Sequence, residues 1–222
     1  MKTFTLFVTI AFTNLWSVNL SAQKLLIEGV LKYNISIESS NGEKKIAGSL
    51  NGATLLIYLT KDKSRSEMIS TPGTETTVYD NKTGKGFILK EYSGQKLMIT
   101  TTSENWIQKN QINANLNFET QSGTTNIGGY VCKKAIAKSD NGKLYTVYYD
   151  PSILISNKLY NNAFSQLSGL PVQYELSSGN LIFKYSLIAL NMDVLSSGKF
   201  EAPKSGFRIM SYEENQQLKK GE

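Results

Sequence analysis

The chain has 222 residues, enough for one domain with a substantial hydrophobic core. Apolar residues make up 40% of it, which is too many for a disordered chain, and the net charge of +6 is spread thinly along the sequence. There is no histidine and only one cysteine, Cys132. The composition therefore excludes histidine-based catalytic triads, histidine-ligated zinc, internal disulfides and cysteine-rich metal clusters.

The first 22 residues have the pattern of a secretory signal peptide. Lys2 supplies a positive start, residues 4–18 are mostly apolar, and Leu20-Ser21-Ala22 ends in a small residue. The apolar run is interrupted by polar residues and is shorter than a membrane-spanning helix requires. We therefore expect a signal peptide over residues 1–22 and one mature domain over residues 23–222. We also expect export to the periplasm or the outer-membrane periphery, without an amino-terminal lipid anchor because no cysteine lies near the cleavage site.

Between residues 25 and 195, short runs of alternating apolar and polar residues are separated by turn-forming residues. This period of two predicts ten or eleven strands, most of them paired with their neighbours in sequence. Asn81-Lys82-Thr83-Gly84 is predicted to be a turn, since Lys82 stands where a calcium loop needs an oxygen ligand. The predicted strands are residues 25–38, 54–59, 65–69, 76–80, 85–92, 96–102, 117–121, 130–138, 144–150, 172–176 and 181–195.

One helix is predicted between two of these strands, and a second helix is predicted after the last strand. Residues 157–168 carry apolar side chains on one face with a period of 3.6, with Asn157 as the N-cap and Gly169 as a left-handed C-cap. Near the carboxyl end, Ser211-Tyr212-Glu213-Glu214 is a capping box that begins a second helix. Residues 104–112 are compatible with either a short helix or a loop.

The sequence offers little catalytic chemistry. Without histidine, a catalytic base would have to be a carboxylate or a lysine. Asp150 and Glu175 lie at strand ends, but nothing in their spacing brings them together. Cys132 lies within a predicted strand, where a small buried side chain is favoured over a reactive thiol. We therefore expect no catalytic residues, no metal and no cofactor, and a histidine-free hydrolase is kept as a third hypothesis.

Two predicted strands, residues 144–150 and 181–195, carry apolar side chains on one face and are partly apolar on the other as well. If the predicted helix over residues 157–168 covers one side of the sheet, the other side is free to form a hydrophobic pocket. An ordinary core with some exposed tyrosines explains the same pattern. The candidate pocket residues are Phe183, Tyr185, Leu187 and Tyr148.

Several short motifs follow one another in a defined order along the chain. They are Gly129-Tyr130-Val131-Cys132-Lys133-Lys134-Ala135, Val147-Tyr148-Tyr149, Gly169-Leu170-Pro171-Val172, Phe200-Glu201-Ala202-Pro203, Gly206-Phe207, Ile209-Met210 and Ser211-Tyr212-Glu213-Glu214. In this order they resemble an exported bacterial family of unknown function that is related to the outer-membrane lipoprotein carriers LolA and LolB. The resemblance covers residues 25–214.

The resemblance implies a mainly β (α+β) fold, an incomplete antiparallel β-barrel of the LolA/LolB type with short covering helices. It further implies a non-enzymatic carrier that binds a hydrophobic ligand, either a lipid or the acyl chain of a lipoprotein, and it brings no catalytic residues. The expected partners are a lipid or acylated protein and an envelope protein, with peripheral membrane contact. No nucleic acid is expected because the basic residues form no cluster. The alternative is a periplasmic or surface module that recognises protein or glycan.

Overall fold

A computed structural model of the chain describes residues 23–39, 48, 51–111, 116–139, 142, 144–178 and 181–220. The predicted signal peptide, residues 1–22, lies outside the described residues. The strands are β1 (Lys24–Leu26), β2 (Gly29–Ser39), β3 (Thr54–Leu59), β4 (Lys63–Ser70), β5 (Gly73–Asp80), β6 (Lys85–Tyr92), β7 (Gln95–Thr101), β8 (Phe118–Thr120), β9 (Thr125–Ile127), β10 (Tyr130–Lys138), β11 (Leu144–Asp150), β12 (Ile153–Ile155), β13 (Leu170–Ser178), β14 (Leu181–Asn191) and β15 (Arg208–Ser211). The helices are α1 (Ser103–Asn110) and α2 (Tyr212–Lys220), and 3₁₀ turns span Lys158–Tyr160, Asn162–Phe164 and Ser197–Phe200. Among the described residues, no helix is long and apolar enough to cross a bilayer.

Two runs of consecutive strands build the sheet. β2 to β7 pair antiparallel in chain order, and β10, β11, β13 and β14 do the same. β14 pairs with β2, with Ile182 opposite Glu38 and Asn191 opposite Val30, and so joins both runs into one sheet of thirteen strands within the described residues. β15 lies parallel to β7 at one end of the strand order and β8 lies at the other, so the sheet stays open. The predicted fold class, a mainly β protein with an incomplete antiparallel barrel, is confirmed.

The long strands have one buried and one exposed side. In β2, Leu31, Tyr33 and Ile35 are buried, whereas the intervening Lys32 and Asn34 are exposed. We call the first side of the sheet the inner face and the second the outer face. The main core lies on the inner face and includes Ala135, Val147, Val172, Ala163, Phe164 and Leu167.

A segment of chain also covers part of the outer face. Residues 192–207 lead from β14 to β15, and Phe200 of this segment packs on the outer face of β5, β6 and β7. Arg65 on β4 fixes the segment by donating a hydrogen bond from Nη1 to the Lys199 carbonyl at 2.9 Å. Because β6 is covered on both faces, Ile88 is buried together with its two neighbours in sequence. The outer-face residues that form one buried cluster with Phe200 are Val78, Phe87, Leu89 and Met98.

The strand predictions hold along most of the chain, but the first one is wrong as a single strand. It divides at Ile27 and Glu28, and β1 pairs with β12 in a separate parallel ladder. At Gly29 a Cβ atom would lie 2.2 Å from the Asn191 carbonyl oxygen, so only glycine lets the start of β2 pass this close to the end of β14. β9, β12 and β15 have no predicted counterpart, because three or four residues are too few to show a period.

The helix predicted over residues 157–168 is wrong. This segment forms two 3₁₀ turns, Lys158–Tyr160 and Asn162–Phe164, joined at Asn161. Asn161 has extended backbone, with a φ of −150°, and its side chain accepts a hydrogen bond from the Ala163 N–H at 3.1 Å. Such local bonding by asparagine competes with helix formation. The period of 3.6 nevertheless identified side chains that the fold buries.

The two α-helices both begin with a capping box. Most of α1 falls in residues 104–112, which the sequence left open as a short helix or a loop. At its start, the Asn105 N–H donates to Thr102 Oγ1 at 3.4 Å and the Thr102 N–H donates to Asn105 Oδ1 at 3.1 Å. At α2 the predicted box is confirmed. The Glu214 N–H donates to Ser211 Oγ at 3.1 Å, and the Ser211 N–H donates to Glu214 Oε2 at 2.7 Å.

Gly169 is needed for close packing and not for a left-handed cap, since its φ is not positive. A Cβ atom there would lie 2.5 Å from both the Asp150 carbonyl oxygen and a ring carbon of Tyr149.

Gly169→Ala should lower the free energy of unfolding by about 1–3 kcal/mol, measured by urea denaturation. Gly198→Ala is the control, because its nearest atom would be 3.7 Å away and its effect should stay within about 0.5 kcal/mol. Equal effects from the two substitutions would contradict the packing argument.

Candidate functional site

The register divides the four predicted pocket residues between the two faces of the sheet. Tyr185 lies on the inner face, together with Phe183 and Leu187, which alternate with it along β14. Tyr148 pairs with Gln173, one position out of step with the inner-facing residues, and so lies on the outer face. Leu187 is part of the main core, and Phe183 packs with a smaller cluster near the end of β2. Tyr185 is the one of the four that lines the cleft described next.

A cleft of about 270 Å³ lies between the inner face and two covering segments. We call it the inner cleft. Its floor comes from β3, β4, β5, β13 and β14, and its cover comes from α1 and the first 3₁₀ turn with the residue after it. The floor residues are Leu55, Ile57, Ser64, Ser66, Thr77, Tyr174, Leu176 and Tyr185, and the cover residues are Trp106, Lys109, Asn110, Tyr160 and Asn161.

One half of the inner cleft is apolar and aromatic. The Tyr174 and Tyr185 rings are stacked, with centroids 4.6 Å apart, and Leu176 follows on β13. Leu55 and Ile57 continue this surface onto β3. Stacked rings hold each other in place and present a rigid apolar wall. We call these five residues the apolar half.

Tyrosines are uncharged at neutral pH, and burial makes the tyrosines around this half still harder to ionise. Burial raises the pKa of Tyr185 to about 12. Burial also raises the pKa of Tyr160 and of Tyr174 above the ordinary tyrosine range, with the neighbouring Tyr33 adding to the effect at Tyr174. Below Tyr174, the Tyr33 hydroxyl donates to the Pro171 carbonyl at 2.7 Å, so that buried hydroxyl is satisfied. The aromatic wall therefore presents no charge to a ligand at neutral pH.

Helix α1 is attached to the sheet through its single tryptophan. Trp106 stacks on Tyr79 of β5, with ring centroids 4.1 Å apart and planes within 5°. At its amino end, Asn105 donates from Nδ2 to Glu213 Oε1 of α2 at 2.7 Å. This bond is the first cause of the lowered pKa of the Glu213 carboxyl. The two contacts fix the first cover of the inner cleft and tie it to the carboxyl-terminal helix.

The second cover is anchored by Asn157, which is 2% exposed. Its Nδ2 donates to the Thr60 carbonyl at 3.0 Å and to the Lys63 carbonyl at 3.1 Å. Its Oδ1 accepts from Asn81 Nδ2 at 2.8 Å. The residue predicted as a helix cap instead joins the covering segment to the β3–β4 and β5–β6 turns. The type of residue was visible in the sequence, but its partners were not.

The two candidate carboxylates of the hydrolase hypothesis are far apart. Asp150 accepts hydrogen bonds from the N–H and hydroxyl of Ser152, at 2.8 and 2.7 Å. Glu175 lies 3.7 Å from Lys184 in an exposed ion pair. Asp150 is paired with Leu170, five residues before Glu175 on β13, which separates the carboxylates by roughly 16 Å along the strand. Among the described residues, no three His, Cys, Asp or Glu side chains gather as a metal site.

Two larger depressions lie at the rim of the molecule. One of about 540 Å³ is bordered by Val131 and Asp150, and one of about 350 Å³ lies between β15 and α2. Side chains on their walls are well exposed, such as Val131 at 57% and Ile209 at 64%. The walls of the inner cleft are mostly buried or half-buried, so a ligand there loses more contact with water. The inner cleft is therefore the candidate site.

Comparison with known proteins shows similarity in structure only. No protein-family description and no curated protein matches the chain. PNGF-II is 14% identical, with a TM-score of 0.46 over 86% of this chain, and the chain spans 33% of PNGF-II. MucB is 10% identical, with a TM-score of 0.41 over 83% of this chain and 60% of MucB. A β-barrel-like protein of a domain of unknown function from Brucella abortus is 9% identical, with a TM-score of 0.37 over 77% of this chain and 99% of that protein.

Similarities of this size assign no activity to the chain. Its own strands and cleft place it in a broad class, open mainly β proteins with a covered cleft on one face of the sheet. The similar structures include β-barrel-like domains, and none of the matches confirms a relationship to LolA and LolB.

Loss of the Asn157 amide should loosen the second cover. Asn157→Ala removes three hydrogen bonds, so the Thr60 carbonyl, the Lys63 carbonyl and the Asn81 amide each lose a partner, and the free energy of unfolding should fall by about 2–4 kcal/mol in urea denaturation. Asn34→Ala is the matched control, since Asn34 is exposed on the outer face. Its effect should stay within about 0.5 kcal/mol. A loss below about 1 kcal/mol at Asn157 would show that these bonds do not hold the cover.

Cys132 should be unreactive in the folded protein. It is fully buried, and burial, followed by the charge of Asp150, raises the pKa of its thiol to about 11. The thiolate is the reactive form, so alkylation by iodoacetamide at pH 8 should be at least about a hundredfold slower than in concentrated urea. Mass spectrometry of timed samples gives both rates. Equal rates would mean that the thiol is accessible in the native state.

Proposed function

We propose that this chain is an exported, non-enzymatic protein that binds a hydrophobic ligand, the acyl chain of a lipid or of an acylated protein, in the inner cleft. The observation that carries the proposal is the apolar half of the cleft lying under two anchored covers. Export rests on the predicted signal peptide. The periplasm or the outer-membrane periphery is then the place of action, with an envelope protein as donor or acceptor of the ligand.

The physical basis of binding is burial of the chain against an uncharged wall. Each CH₂ group removed from water contributes about 0.8 kcal/mol. The cleft volume of about 270 Å³ lies just below the usual range for small-molecule sites, about 300–1,000 Å³. It therefore suits one acyl chain, or part of one, more than a whole phospholipid. No acidic side chain is among the described residues that line it, so the wall has no negative charge to repel an anionic lipid.

Trp106 offers a direct test, because it lines the cleft and the chain has only two tryptophans. In a Trp16→Phe variant of the full chain, Trp106 is the single source of tryptophan fluorescence. A brominated fatty acid in the cleft should quench this fluorescence saturably, because bromine acts only at short range. The unbrominated fatty acid should compete and restore the signal.

A matched pair of variants locates the binding. Leu176→Glu places a charge in the apolar half and should weaken binding at least about tenfold, whereas Ile188→Glu adds the same charge at a side chain that is 56% exposed and outside the cleft lining. Ile188→Glu should bind as the parent does. Absence of saturable quenching in the parent, or equal weakening by both variants, would overturn the proposal.

A further inference from the structure

Part of the inner cleft floor is made of hydroxyl groups. Ser66 on β4 and Thr77 on β5 are directly opposite each other in the antiparallel ladder, and Ser64 lies on the same side of β4. Ser64 is 5% exposed and Thr77 is 8% exposed. We call these three residues the hydroxyl floor. Ile57 of the apolar half is paired with Ser66, so the cleft changes from apolar to polar between two adjacent strands.

The hydroxyl floor has unused hydrogen-bonding capacity. Within the described residues, the hydroxyls of Ser64, Ser66 and Thr77 form no hydrogen bond, although each residue lines the cleft. A hydroxyl that is removed from water without a partner costs free energy. A ligand that fills this part of the cleft must therefore carry donors or acceptors of its own.

The charges around the floor favour an uncharged head group. Serine and threonine hydroxyls both donate and accept, which matches the ester and hydroxyl groups of a neutral lipid. A buried carboxylate or phosphate would need an opposite charge beside it. The one cationic side chain among the described lining residues is Lys109, which is exposed on the cover and not part of the floor.

We infer that the inner cleft takes an amphiphile with an uncharged, hydroxyl- or ester-bearing head group, of which a monoacylglycerol is the simplest example. Its acyl chain lies against the apolar half, and its head group exchanges hydrogen bonds with Ser66 and Thr77. The inference rests on the proposed function, because it assigns the ligand class of the same cleft.

The test compares two ligands with the same twelve-carbon chain, monolauroylglycerol and dodecanoate, by displacement of the brominated probe from Trp106. The parent protein should bind monolauroylglycerol more tightly than dodecanoate. Ser66→Ala combined with Thr77→Val should weaken the binding of monolauroylglycerol about tenfold, the size expected for the loss of two neutral hydrogen bonds. The affinity for dodecanoate should change by no more than about twofold. The matched control is Ser36→Ala combined with Thr74→Val, which removes the same two hydroxyls from the outer face. It should change neither affinity.

The outcomes separate the two proposals. Equal affinities for the two ligands in the parent, or equal losses in the hydroxyl-floor variant and its control, would overturn the inference and leave the hydrophobic cleft intact. Binding of neither ligand, with no quenching by the brominated probe, would overturn the proposed function as well. If the double variant does not fold, Ser66→Ala alone serves, because Ser66 is only half-buried. This single variant should weaken the binding of monolauroylglycerol about threefold, and an unchanged affinity would likewise overturn the inference.

Discussion

The pairing of β14 with β2 is the constraint on which the rest of the structure depends. It joins residues 181–191 to residues 30–39, and the Lys184–Glu38 hydrogen bond of 2.8 Å spans 146 positions of sequence. Closing so long a loop costs chain entropy, which the long backbone ladder and the burial of inner-face side chains must offset. The inner cleft exists only because of this pairing, since its apolar half takes Leu55 from one run of strands and Tyr185 from the other.

The covers depend on the sheet in turn. Trp106 needs the Tyr79 ring, and Asn157 needs the carbonyls of the β3–β4 turn, so neither cover has its position without the strands beneath it. α1 is also linked through Asn105 to Glu213, which follows the edge strand β15. The carboxyl-terminal part of the chain therefore contacts the fold on two sides, covering part of the outer face through Phe200 and supporting α1 through Glu213.

The sequence predicts local features of this fold well and long-range ones poorly. The hairpins of β3 with β4 and of β5 with β6 follow from alternation and turn residues, both local signals. The segment after Asn157 shows the failure: its apolar period of 3.6 is real, but asparagine side chains bond locally and across to the sheet, and the helix does not form. Tyr148 shows a second failure of prediction. The face on which a strand residue lies depends on the pairing register, which one strand alone does not specify.

By itself the sequence determined the composition limits, most strands and the capping box at Ser211, because each depends on residue type or on neighbours a few positions away. Only the tertiary structure decided which strands meet, which side of each strand faces the core, and that Ser66 and Thr77 lie beside an apolar wall. These features depend on contacts between residues distant in sequence. Such contacts form when enough apolar surface is buried together to outweigh the entropy of closing the loops between them.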